Sequence, residues 1–600
     1  MKEAYKGIIA PNGHLPIHGH SPNAAGELIT TTLPPDAPDN IVLSPTMNRW
    51  GINGQPAHLP NMLYSVQGAL SREGLIKDTW VILGDASNQP GTDVARLSTL
   101  QRLHEIPHPS RLFLLTPETQ RKTADIIAGK AKIPREIVDA VLTMTGYASQ
   151  RAKLDVVAGG LALVANRPLK TLELDDDTII PEHYGVLKED VLPHGLTRKP
   201  NSQVLLDDRE ALSEKMFDVI TNTISPFFTE LGKTVGEVRQ KHPGMRATHK
   251  FKDTMHGELE KAIKGESAQF VVTHADIEED DLPDADNSLI VATTATKHGV
   301  PDYRTVKIAQ AHLEAEFPEE EIPISSYPSG PSELFVYRKA DTNVDSACIA
   351  RQIDENTAFW PWWFVSNDRI SRENPLQTVT GHYRADNELL PVWLQVVYER
   401  IGQQYAYLSG IDTQVYHNRA RTGYRPDLHE QATASLVGNI AALEASRRLH
   451  FDPSAVRIRM TRVDPDYVAP RDHAEQVYSL MDGLAEICTR KLKDLSSRKL
   501  ATSAPEDLRD IAEKTDKYLD VLGSIKRKLG GSSFETFYYH LNREVARQLN
   551  FFADVLDAMP TVIIEAQKLI QRGNYPVVEY VPAQASIKNH PGSEVVVFQR

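Results

Sequence analysis

The stretch Arg167-Pro-Leu-Lys-Thr-Leu-Glu-Leu-Asp175-Asp176-Asp177-Thr178-Ile-Ile-Pro181 joins a short apolar run to three adjacent carboxylates. Leu169 to Leu174 has the composition of a short buried strand, and the acids fall where that strand would end. Neighbouring carboxylates repel one another, and a divalent cation with oxygen ligands relieves the repulsion. Acids around such an ion suit chemistry at a diphosphate. The competing expectation is a solvated acidic turn, the commoner fate of an arbitrary acidic triplet. What flanks the triplet decides between the two.

Before it, strands and helices alternate. Asn40 to Thr46 reads as a buried strand closing on a Ser-Pro turn, and Leu59 to Leu70 has apolar residues at helical spacing. Thr79 to Gly84 is a second strand, ending at Asp85-Ala-Ser87, and Arg111 to Thr116 a third. Helical patterns cover Pro117 to Lys130, Pro134 to Met144 and Ala148 to Ala165. This alternation implies right-handed crossovers and a mainly parallel sheet covered on both faces. Ligands of such sheets collect outside the carboxyl ends of the strands. Ser44 to Thr46, Asp85 to Ser87, Thr116 and Asp175 to Asp177 all belong at those ends. Arg151 and Lys153 start the helix leading into the acidic strand, and a diphosphate between them and a metal would be matched by both side chains. Two exposed basic residues on an amphipathic helix are the plainer alternative.

Taken in order, the strand Ile41 to Thr46, the Asp-x-Ser at Asp85 to Ser87, the Ser-x-Arg of Ser149 and Arg151, and Leu174-Asp-Asp-Asp-Thr178 resemble the nucleotide-sugar half of a GT-A glycosyltransferase. The resemblance runs from about residue 38 to 185 and resumes near 375 to 425. It departs from the commonest pattern at Ala152, where an Asn often follows the helix Arg. It implies a GT-A fold, Rossmann-like with a mainly parallel sheet. It also implies a divalent metal, Mn²⁺ or Mg²⁺, and a nucleoside diphosphate sugar donor. The implied roles put Asp175, Asp177 and a late histidine, His417, on the metal. Asp85 would contact the base, the backbone around Pro45 the nucleoside, and Asp175 or Asp176 the ribose. Ser87, Arg151 and Lys153 complete the donor set. His417 lies in Thr413-Gln-Val-Tyr-His-Asn-Arg419, and a structural role for a lone histidine is the alternative.

The segment Thr378 to Leu394 puts Asp386 and Glu388 at the start of an apolar helical stripe, a favourable place for carboxylates near a helix N-terminus. The resemblance makes either one the general base of an inverting transfer, whereas a retaining transfer needs no such base. A plain N-cap is the competing reading. Between the two halves, Leu205 to Leu231 and Asp253 to Lys264 read as helices, and Gln269 to His274 and Ser288 to Thr294 as strands. Glu278 to Asp286 is an acidic loop. Tyr327 to Glu333 is a turn rich in free backbone donors, and Phe359 to Phe364 holds five aromatics in six residues. The last two are weak acceptor candidates, with core packing the rival for the aromatics.

Length and composition bound the rest. Six hundred residues suggest about two to four domains. The expected division is a leader at 1–38, a nucleotide-sugar half at 39–195, a mixed insertion at 196–375, an acceptor-side half at 376–428 and an all-α domain at 429–600. That last segment carries long amphipathic stretches, 430–449, 473–495, 504–529 and 533–571, before a strand-like tail. Such helices offer an acceptor surface or a homo-oligomer contact. The leader's His14, His18 and His20 lack a Cys or paired acid and read as loop rather than metal site. A net charge of −14, from 66 basic against 80 acidic residues, argues against a nucleic-acid sheath. There is no apolar run of membrane-span length and no signal-peptide core, so the expectation is a soluble, cytoplasmic chain. Two cysteines, Cys348 and Cys488, are too few for a disulfide framework.

The function expected is metal-dependent transfer of a sugar from a nucleoside diphosphate donor to an acceptor that the residues leave open. A nucleotidyltransferase is the enzymatic alternative, although Ser44 to Gly51 is not the Gly-rich phosphate loop that such an enzyme opens with. A non-catalytic protein that kept the fold is the other.

Overall fold

The computed structural model describes residues 26–46, 49–51, 58–87, 90–101, 109–142, 147–176, 178–187, 202–205, 217–241, 285–298, 335–353, 405–411, 415–417, 457–464, 466–472 and 533–582, with shorter pieces elsewhere. The first half follows the expected alternation: β1 (Gly26–Thr32), β2 (Asn40–Thr46), α1 (His58–Arg72), β3 (Thr79–Asp85), α2 (Thr92–Gln101), β4 (Leu112–Leu115), α3 (Pro117–Ala131), α4 (Arg135–Leu142), α5 (Tyr147–Ala165) and β5 (Leu169–Leu174). β6 (Thr178–Ile179) follows at once. Beyond it come β7 (Leu289–His298), β8 (Phe335–Ile353), β9 (Tyr405–Ile411), β10 (Tyr416–His417), α6 (Phe534–Gln571) and β11 (Pro576–Pro582).

The protein is α/β, and its main sheet runs β1-β11-β4-β3-β2-β5-β8-β7-β9, with a short strand at Arg246–Thr248 beyond β9. The centre, β4-β3-β2-β5, is parallel. Around it the sheet is mixed: β11 is antiparallel to β1 and β4, and β8 to β5 and β7, whereas β7 and β9 are parallel. β2, β3 and β4 are buried along their whole length, which is why their sequences are apolar runs with little alternation. Alternate residues still face opposite layers. Ile41 and Leu43 pack with α3, α4, α5 and α6, while Val42 packs with α1 and with Phe227, Phe228 and Val238. α3 begins with a capping box, Thr116 and Thr119 each bonding the other's backbone N–H.

Later parts of the chain join the same sheet and core. Within 196–375, β7 and β8 occupy the sheet beside β5. α6 packs on α5, α4 and α3, and β11 fills the place between β1 and β4, so residues 534–582 share the core of the first half. The amphipathic pattern of α6 was legible, but periodicity does not say what an apolar face meets. One expectation is corrected, since 205–231 is not one helix: Phe217–Thr221 is a strand paired with His183–Leu187, and among the described residues of the stretch only Ser225–Thr229 is helical. The apolar residues of that stretch satisfy a strand as well as a helix, and the Asn222–Ser225 corner breaks it.

α5 and α6 approach closely at Gly160, where a Cβ would stand 3.2 Å from the Ile570 Cβ and closer still to its Cδ1. Gly160→Val should therefore lower stability by about 1–3 kcal/mol through overpacking. In an Ile570→Ala background the loss should shrink, since neighbouring substitutions are not additive. Chemical denaturation of the four proteins of the cycle measures both effects; full additivity would mean that the helices are not in contact here.

Candidate functional site

β2 is the strand about which the chain reverses direction across the sheet. Its successors β3 and β4 lie on one side, and β5 then returns to the other. The crevice of a doubly wound sheet opens at such a switch point, outside the carboxyl ends of the two central strands. The acidic turn lies there. In the parallel β2–β5 register Ile41 stands opposite Thr171 and Leu43 opposite Glu173, so two residues farther on Pro45 is level with Asp175. The Thr46 hydroxyl donates to Asp176 Oδ2 at 2.8 Å, a bond that closes the switch point from strand to strand. Asp175 and Asp176 are only 4% and 7% exposed. Burial at this level does not fit a solvated acidic turn.

The third strand end belongs to the same group. Thr46 pairs in register with Asp85, and Pro45 with Gly84. Asp85 is fully buried; its Oδ2 accepts from Trp50 Nε1 at 3.0 Å and from Arg96 Nε at 2.6 Å, and its Oδ1 from the Ser87 amide at 2.8 Å. Arg96 is held in turn by Asp93 at 2.7 Å. Asp85 thus stands at the carboxyl end of β3 with both carboxylate oxygens already engaged by the protein.

His417 comes to the turn from 239 residues beyond Thr178, since 417 minus 178 is 239. β10 pairs antiparallel with β6, placing Tyr416 opposite Ile179 and His417 opposite Thr178. Partners across such a ladder have Cα atoms about 4.5–5.5 Å apart. The Thr178 amide donates to the Asp175 carbonyl at 3.0 Å, closing the turn. β6 is also anchored on the other side, where the Ile180 amide donates to Ser65 Oγ of α1 at 3.1 Å. The backbone of His417 is therefore fixed against the acidic turn. Asp177 and the side chain of His417 lie outside the described residues, as do Asp386 and Glu388 entirely. Among the described residues no three His, Cys, Asp or Glu side chains form a metal-holding group.

The described carboxylates of the turn, Asp175 and Asp176, are oxygen donors of the kind that hard divalent cations take. Buried hydroxyls add to the fit. Thr178 Oγ1, opposite His417, and Ser44 Oγ, on the same face of β2 as Thr46, are buried without a hydrogen-bond partner among the described residues. A buried hydroxyl without a partner costs about 1–3 kcal/mol, and a bound polar ligand relieves it.

α5 supplies the basic side. Its C-terminus connects to β5 through three residues, so it runs antiparallel to β5 and its N-terminus reaches the carboxyl edge. Arg351 of β8 bonds Glu173 of β5 and Asp155 of α5 together, which sets the two elements at one height. From Asp155 back to Arg151 the helix covers about 6 Å, and from Glu173 on to Asp175 the chain covers about 6–7 Å. The backbone of Arg151 is consequently level with Asp175; its side chain lies outside the described residues. Lys153 is 2% exposed, not a solvent-facing residue of an amphipathic helix. Burial pushes its ammonium down to about 7, with Asp139 of α4 acting in the opposite direction.

Thr46 was expected at the crevice as a strand end, but its bond to Asp176 has no sequence signal. Arg351 is the residue that sequence reasoning missed: it meets Glu173 and Asp155 across 178 and 196 residues and carries no motif. No protein-family model matches the chain, and no curated protein matches it.

The depressed Lys153 has a consequence for stability. Its folded pKa lies below the unfolded value, so the unfolded chain binds the extra proton between pH 7 and about 10, and Lys153 makes the protein more stable as pH rises through that window. Below pH 7 the full cost of burying the charge applies. Lys153→Met should remove that cost and stabilise the protein at pH 7 by about 1–4 kcal/mol, with the gain fading toward pH 10. Denaturant midpoints at the two pH values test this; a destabilised variant would mean that the ammonium is a net structural contributor.

Proposed function

We propose that the chain is a metal-dependent glycosyltransferase of GT-A type, moving a sugar from a nucleoside diphosphate to an acceptor. The observation that carries this reading is the pairing of His417 with Thr178, which brings a distant imidazole-bearing residue against buried carboxylates at the sheet's switch point. Under this reading Asp175, Asp177 and His417 hold Mn²⁺ or Mg²⁺. When bound, that ion offsets charge on the departing diphosphate.

The chain's own groups do the rest. Thr46 holds Asp176 by one oxygen and so orients its carboxylate at the ribose position. Lys153 and Arg151 stand on α5 for the phosphates, and the helix N-terminus adds amide donors and a favourable dipole. Lys153 titrates near neutrality because it is buried, so an arriving phosphate would hold it protonated. Asp85 braces Trp50 and Arg96, shaping the wall beside β3 where the base would lie. If the transfer inverts the anomeric centre, Asp386 or Glu388 takes the acceptor's hydroxyl proton.

Incubation with a panel of nucleoside diphosphate sugars and Mn²⁺ should release the nucleoside diphosphate from one of them, slowly by hydrolysis even without acceptor. Release of pyrophosphate from nucleoside triphosphates would replace this reading with nucleotidyl transfer. Asp177→Asn and His417→Ala should each weaken metal-dependent donor binding by at least the roughly 10–100-fold that loss of an outer-shell metal partner costs. Donor affinity equal to wild type in both variants would sink the metal assignment.

A further inference from the structure

Arg351 lies deep in the protein, 1% exposed, where a guanidinium is costly unless its donors are satisfied. Its Nε donates to Glu173 Oε1 at 2.6 Å, and its Nη2 bonds Asp155 and also reaches Glu173 Oε1 at 2.5 Å. Both carboxylates are themselves buried. Burial, the largest influence, pulls the guanidinium's pKa down, but Asp155 and Glu173 together outweigh it and hold it above its ordinary value. The three residues come from three elements. β8 and β5 are already joined by their ladder, in which Arg351 stands opposite Thr171, and the Thr171 hydroxyl donates to the Arg351 carbonyl at 3.0 Å. The bond to Asp155 is the one that reaches out of the sheet to α5.

We propose that Arg351 is a positioning residue for the donor's diphosphate, fixing the separation between the basic start of α5 and the acidic turn after β5. The proposal rests on the glycosyltransferase reading above. Asp155 is four residues from Arg151 and two from Lys153, and Glu173 is two residues from Asp175. A diphosphate bridging the two sides would span a gap between two elements that the Arg351 side chain ties to each other. Lysine keeps the charge but has no fork, so it cannot hold both carboxylates in one geometry.

The test uses the full chain and titrates two probes by calorimetry: Mn²⁺ alone, and, with Mn²⁺ present, the nucleoside diphosphate that wild type binds best from a panel of four. The variants are Arg351→Lys and Asp155→Asn. The second retains the Arg351–Glu173 bond and the side-chain volume, and serves if the first does not fold. Each should bind Mn²⁺ with wild-type affinity, because no metal ligand is assigned to α5. Each should bind the diphosphate about 10–100-fold more weakly at unchanged stoichiometry, the scale of loss that small misplacements produce. A purely structural role would instead lower the number of competent sites and leave the dissociation constant as it was. Wild-type diphosphate affinity in both variants, or equal losses for Mn²⁺ and diphosphate, would overturn the positioning role alone. Absence of diphosphate binding by the wild-type protein would overturn the glycosyltransferase reading and this inference with it.

Discussion

Burying one cation between two carboxylates fixes more of this structure than any single apolar contact does. Hydrophobic packing is non-directional, so the cluster that joins α3, α4, α5 and α6 to the sheet specifies relative heights less sharply than hydrogen bonds do. The Arg351 fork does not permit that. Its donors are satisfied only when α5 and β5 stand at one relative height, and removing one partner strands a buried charge at a cost of about 3–5 kcal/mol. The sheet's centre depends on it in a second way. β8 runs antiparallel to β5 beside a parallel core, and the ion pairs anchor this change of direction to the helical layer.

The first half of the fold was legible because local signals and tertiary context agree there. Fully buried parallel strands read as apolar runs, and the helices between them have uncomplicated 3.6-residue periodicity. What followed was less legible for a physical reason. β7, β8, β9 and β11 join the sheet from 115 to 408 residues beyond Leu174, the end of β5, since β7 begins at Leu289 and β11 ends at Pro582, and no local property announces a strand's neighbour. The amphipathic pattern of α6 gave its extent to within a residue, with Pro560 inside it, but not that it covers α5. The site divides in the same way. Asp85, Asp175 and Asp176 announce themselves as acids at strand ends. Thr46 and Arg351 act through partners that only the folded chain supplies.

The carboxyl edge of the sheet has an electrostatic character that a plain acidic turn would lack. Asp175 and Asp176 are buried, and just beneath them the Arg351 cluster carries two carboxylates for one guanidinium. Arg96 is engaged with Asp85 and Asp93, so the described guanidinium groups nearest the turn are already bonded to acids. Carboxylates gathered at low exposure are the kind of oxygen donors that a hard cation takes. Yet α5 aims its N-terminus at the same edge, and a helix start carries about half a positive charge and open amide donors, which favour an anion. A simple metal ion answers only the first demand, and a simple phosphate only the second. Under the proposed function, a diphosphate carrying its own divalent cation would answer both demands. The two elements concerned, α5 and β5, are the ones that the buried Arg351 joins through Asp155 and Glu173.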